Sequence, residues 1–190
     1  MTAQSHFYIA GWAAVLAALV NFPLAGVVVA VQFFPENPVL QGANDVLTIV
    51  ATSLEIYVLI ALRRLLHAHD FHAVDSVLAL LVGGLVTGAA LDVVGERVLD
   101  PETAGALLLI VAVVTGVIYA VFGYRLLPAS RFLAGPLKPF GYLNIVAGVS
   151  VATLVLLPLA IPASIAASVT LAIVIFRAAE GPAPAPVVPS

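Results

Sequence analysis

The chain has 190 residues, of which 63% are hydrophobic and only 9% charged, with 7 Lys and Arg against 10 Asp and Glu. A soluble domain carries about 25% charged residues, so this composition excludes a water-facing fold; disorder is excluded too, because it needs low hydrophobicity and high net charge. There is no cysteine and the net charge is −3, which excludes disulfides, thiolate chemistry and iron–sulfur clusters and leaves no nucleic-acid footprint.

The class that remains is an all-α integral membrane bundle, in which each crossing helix needs about 20 predominantly apolar residues. Six transmembrane segments are expected in chain order. The first covers about 7–33 and holds no charge; the second covers 44–66 and contains Glu55. The third, about 73–95, carries Asp75 and Asp92 near its ends, and the fourth covers 102–127. The apolar run from Phe140 to Ala178 would be about 58 Å long as one helix, nearly twice the hydrocarbon thickness of about 30 Å. Pro158 and Pro162 interrupt it. Proline removes a helix donor and disfavours helix before it, so a turn there predicts two short helices, 140–158 and 162–178.

Other boundaries carry local signals. Asp100-Pro101-Glu102 reads as an N-cap, a first-turn proline and an acid at the positive end of the helix dipole, and Asn44-Asp45 opens the second helix in the same way. Phe34-Pro35-Glu36-Asn37-Pro38 reads as a loop. Leu127-Pro128 and Gly135-Pro136 bracket the longest internal loop. The amino-terminal apolar stretch lacks a basic flank and exceeds the roughly 7–15 residues of a signal core, so it reads as a retained helix. Residues 1–178 form one domain in this reading, and 179–190 form a proline-rich, disordered cytoplasmic tail.

Basic residues set orientation. With six spans, Arg63, Arg64, Arg125, Arg131, Lys138 and Arg177 share one face, and Arg97 stands alone on the other. This predicts both termini in the cytoplasm of a bacterial inner (plasma) membrane. Glu36, Asp45, Asp92, Glu96, Asp100 and Glu102 fall at or near the outer face. Phe7, Tyr8, Trp12, Tyr124, Phe140, Tyr142 and Phe176 fall near inner helix ends, as an interfacial aromatic belt would. Ile56-Tyr57, Arg63 and Leu65 align with Ile118-Tyr119, Arg125 and Leu127 at an offset of 62. That spacing suits a repeated helical hairpin, and it equally suits chance likeness between apolar helices ending in Tyr and Arg.

Polar residues within the spans are the candidate site. Glu55 lies near the bilayer centre, where a bare carboxylate costs about 2.5–3.5 kcal/mol on insertion scales, and no basic residue shares its depth. Asn44, Thr48, Thr52 and Glu55 recur at steps of three or four and form one stripe from the outer face to the midplane. This reads as a polar path to a proton-accepting acid, or as polar glue between helices. Asn21 precedes Pro23 mid-helix, where the freed carbonyl near Leu19 can line a cavity or simply mark a kink. Asp92 could pair with Arg97 or form a cavity mouth with Glu96. Gly84 and Gly88, Gly116 and Ala120, and Gly148 and Ala152 give small faces for helix packing.

The turn His67-Ala-His69-Asp70-Phe-His72 offers His67, His69 and His72 as candidate metal ligands. The same histidines also suit the negative end of the helix dipole. No cofactor is expected: no histidine within a span suits haem, no lysine suits a Schiff base, and no phosphate loop, nucleophile elbow or zinc-protease helix occurs.

Tyr124-Arg125-Leu126-Leu127-Pro128-Ala129, the later Phe140-Gly141-Tyr142 and the opening Ile9-Ala10-Gly11 resemble six-helix bacterial membrane proteins classed as a domain of unknown function. The resemblance implies the six-helix fold alone. The leading functional expectation is a small multi-pass protein that binds or translocates a small solute or ion, coupled to protons through Glu55. In that reading Asn21 lines the midplane site, and Asp92 with Glu96 forms the mouth. An accessory protein acting by packing with a partner or a second copy is the first alternative. The second is a membrane enzyme acting on a lipid or isoprenoid, with Glu55 and either Asp92 or a tyrosine as its acid–base pair. The expected partners are the bilayer, a small solute, ion or lipid, and a further copy of the chain.

Overall fold

A computed structural model describes residues 3–131, 136–154 and 156–180. Those residues are mostly helical, with no strand among them, and form six main helices. Helix α1, Ala3–Phe33, runs through Pro23 without a break. Helix α2, Pro38–His67, begins before Asn44, because the Asn37 side chain accepts from Val39 N at 3.0 Å and Leu40 N at 3.3 Å. Asn37-Pro38 is thus a cap followed by a first-turn proline, the same device as Asp100-Pro101. Helix α3, Asp75–Ala90, continues through a π-helical turn, Leu91–Gly95, and a last turn, Glu96–Val98.

Helix α4, Pro101–Leu126, is capped by Asp100, whose carboxylate accepts from Thr103 N at 2.9 Å. That backbone N–H holds the Asp100 carboxyl below the usual carboxylate range. A 3-10 turn, Leu127–Arg131, follows. Helix α5, Leu137–Thr153, and helix α6, Leu157–Glu180, complete the bundle. The break between them falls after Thr153 and before Leu157, ahead of both prolines, and Leu154 has a left-handed φ of 57°. Pro158 therefore sits in the first turn of α6, where its missing N–H costs nothing, and Pro162 lies inside the helix. The expected turn between the two prolines is displaced upstream for that reason.

Five helices (α1, α2, α3, α4 and α6) are long and apolar enough to cross a membrane, which marks a multi-pass membrane protein. Helix α5 has 17 residues, about 26 Å, and falls short of the usual span. The helices form a closed ring in chain order, each packed on the next, with α6 returning to α1. The tightest seam joins α4 to α5, which run antiparallel. A Cβ at Gly116 would stand 2.7 Å from Ala152 N, and one at Gly148 would stand 2.5 Å from Ala120 N. Gly123 and Gly141 meet in the same way lower down, so glycines seven apart on each helix let two backbones touch.

Fully buried side chains such as Leu62, Leu66, Phe122, Leu126 and Ile175 gather at the ring end that carries Arg63, Arg64, Arg125 and Arg177. Toward the opposite, acidic end the helices bury fewer side chains. Tyr8 and Trp12 meet Phe176 edge-on, with ring centroids 5.4 and 5.8 Å apart, while Tyr124 and Tyr142 are exposed. Phe140, expected in the interfacial belt, is instead buried against Phe122 at 6.3 Å. Of the tail expected at 179–190, Ala179 and Glu180 instead complete the last turn of α6, and 181–190 lie outside the described residues.

Candidate functional site

Glu55 sits well inside the 30-residue helix α2. A half-buried carboxyl at that depth needs a polar partner, and α4 supplies one: the Tyr119 hydroxyl donates to Glu55 Oε1. Both residues line a cleft of about 690 Å³ walled by α1, α2, α4, α5 and α6. Its lining extends from Phe140 of α5 to Gln32 near the acidic end of α1, and most of its wall is apolar. Asn21 of α1 and Asn144 of α5 also line it. Asn144 is buried and donates through Nδ2 to Phe140 O at 2.8 Å. Ser168 faces the cleft but spends its hydroxyl on Ser164 O at 3.1 Å.

The sequence-derived candidates therefore separate. Asn21 and Glu55 reach one cavity; Asp92, Thr48 and Thr52 do not line it. Asp92 lies on the π-helical turn of α3, where its Oδ2 accepts from Asn44 Nδ2 at 3.0 Å and from Thr48 Oγ1 at 2.9 Å. Arg97, considered above as the partner of Asp92, donates instead to Asp45 Oδ2. Glu96 begins the last turn of α3, and its side chain lies outside what the structure describes. The stripe on α2 faces two neighbours: its outer part meets α3 at Asp92, and its inner part meets α4 at Tyr119. Asn44 Oδ1 and Thr115 Oγ1 are buried without a hydrogen-bond partner.

In the histidine turn, His69 Nδ1 lies 3.0 Å from Leu65 O, apart from His67 and His72, which converge on Asp75. Sequence reasoning singled out Glu55 and Asn21 but not Asn144. The available signal was a lone amide in α5, on the stripe that also holds Phe140 and Ala147. Tyr119 entered as a member of the offset-62 pattern and, with Tyr57, as a tyrosine that could serve Glu55 in an acid–base pair. Its counterpart Tyr57 is 39% exposed on the outside of α2, whereas Tyr119 points inward to Glu55. Comparison with protein-family models, with curated proteins and with solved structures finds no match to this chain.

Proposed function

We propose that the cleft binds a small, largely apolar solute carrying a cationic or hydrogen-bond-donating group, which Glu55 receives at its base. The observation that carries this reading is the Glu55–Tyr119 pair facing a cleft of about 690 Å³, within the usual range for small-molecule sites of about 300–1,000 Å³. An apolar wall with few convergent polar groups suits such a ligand. Asn21 and Asn144 supply further donors and acceptors, and the ligand enters from the acidic end near Gln32. Glu55 exchanges a proton as the ligand arrives or leaves, so movement of the solute is coupled to protons. The asymmetry of basic residues supports six crossings of a bacterial inner membrane, with α5 as the shortest and both termini in the cytoplasm.

Matched alkyl amines and alcohols, titrated onto the protein in nanodiscs, test the reading. Amines are expected to bind more tightly than their alcohol isosteres, and Glu55→Gln is expected to remove at least about 1.4 kcal/mol, or tenfold, of that preference. Equal affinity of wild type and Glu55→Gln for every amine would overturn it. Proteoliposomes with an imposed pH gradient then report whether uptake of the bound amine needs the protonatable side chain.

A further inference from the structure

The turn between α2 and α3, at the basic end of the ring, assembles a second constellation. His67 ends α2, and Asp75 opens α3. Between them the chain folds tightly back: Asp70 N donates to His67 O, Phe71 N donates to Leu66 O, and Asp70 adopts a φ of 54°. This return brings the His72 ring to within 4.3 Å of the His67 ring, centroid to centroid. His67 Nε2 then lies 2.7 and 2.9 Å from the two Asp75 carboxylate oxygens, and His72 Nδ1 lies 3.6 Å from Oδ2. One ligand atom from each of the three residues falls within 4.8 Å of the others.

We infer that His67, His72 and Asp75 form a binding site for a borderline divalent cation, with Zn²⁺ the best fit. Two imidazole nitrogens and one carboxylate oxygen match zinc sites that keep a fourth position for water. Calcium and magnesium call for oxygen ligands throughout. Zinc–ligand bonds of about 2.0–2.1 Å place tetrahedral ligand atoms about 3.3 Å apart, between the 2.7 and 3.6 Å that separate the two imidazoles from Asp75. The C-terminal dipole of α2 favours a cation at this position. Arg63 Nε donates to Asp75 Oδ1 at 2.8 Å from a half-exposed side chain, so it is a displaceable competitor for the carboxylate. A bound ion would fasten the last turn of α2 to the first turn of α3. His69 and Asp70, which share the sequence cluster, are not ligands in this assignment. The inference stands independently of the cleft and its ligand.

Calorimetric titration of the tag-free, full-length chain with Zn²⁺, and with Co²⁺ for its visible spectrum, tests the site. One ion per chain and a tetrahedral-type cobalt spectrum are expected. His67→Ala, His72→Ala and Asp75→Asn should each weaken binding by at least the roughly 10–100-fold that follows loss of an outer-shell partner. His69→Ala should bind as wild type, and Arg63→Ala should bind several-fold more tightly. His72 is 60% exposed, so His72→Ala leaves the helices intact and is the deciding variant should another fail to fold. Absence of stoichiometric binding would overturn the inference, as would His72→Ala binding like wild type; either result would leave the cluster as an ion pair of Asp75 with its neighbours.

Discussion

Glu55 keeps a polar side chain deep in an apolar helix because Tyr119 donates to it from across the ring. Hydrogen bonds between membrane helices are worth on average about 0.6 kcal/mol and at most about 1.7 kcal/mol. Tyr119→Phe is therefore expected to lower stability by about 1 kcal/mol, measured by reversible unfolding in mixed micelles. Tyr119→Phe combined with Glu55→Leu should recover most of that loss, because removing both partners leaves no stranded acid. A double variant less stable than Tyr119→Phe alone would show that Glu55 is held by other groups. That Glu55 demands a partner was legible from its depth in the chain. Which residue provides it was not, because Tyr119 stands 64 residues away on another helix and the period of α2 does not say which helix faces Glu55.

At the scale of the element, the α4–α5 seam depends on glycine for close approach. Gly148→Ala drives a Cβ into the backbone of Ala120, whereas nothing lies within 4 Å of a Cβ at Gly105. Overpacking costs about 1–3 kcal/mol and more where backbone must move, so Gly148→Ala is expected to destabilise by at least that amount. Gly105→Ala should be neutral or stabilising through higher helix propensity, by up to about 1 kcal/mol. Thermal unfolding of the two variants in the same detergent checks the contrast, and similar losses for both would refute backbone contact at the seam. The small faces at Gly116 and Gly148 were readable as packing surfaces. Their pairing with each other, and the second contact at Gly123 and Gly141, follow from an antiparallel register that spacing within one helix does not encode. Elements ended where capping chemistry dictated: Asn37-Pro38 started α2 although the surrounding residues resemble a loop, and Pro158 was absorbed into a first turn.

Over the whole molecule, a ring packed densely at its basic end and hollow toward its acidic end explains how one bundle is both stable and able to hold a cleft. Helix α5 is about 26 Å long, so the turn that joins it to α6 should lie below the surface reached by its neighbours. The chain has no native cysteine, which permits single-cysteine mapping. A cysteine at Leu156 is expected to react slowly with a membrane-impermeant maleimide and quickly with a permeant apolar one. A cysteine at Glu102 should react with the impermeant reagent from outside, and one at Ser130 only after the membrane is opened. Rapid labelling of position 156 by the impermeant reagent would place that turn in water.

Composition determined the membrane class, because 9% charge cannot cover a water-facing surface, and apolar runs of helix-spanning length made it helical. Length and proline placement brought out six helices, and the depth of Glu55 brought out one residue that must be partnered. The tertiary structure decided everything that depends on rotation and register. It sent Asn44 and Thr48 to Asp92, Glu55 to Tyr119 and Arg97 to Asp45, and it placed Asn21 and Asn144 on one cleft while leaving Asp92 off it. The physical reason is that apolar helices all share one period. Their sequences say which residues lie on a common face, while the neighbour opposite that face is chosen by backbone approach at the glycines and by the closure of six helices into a ring.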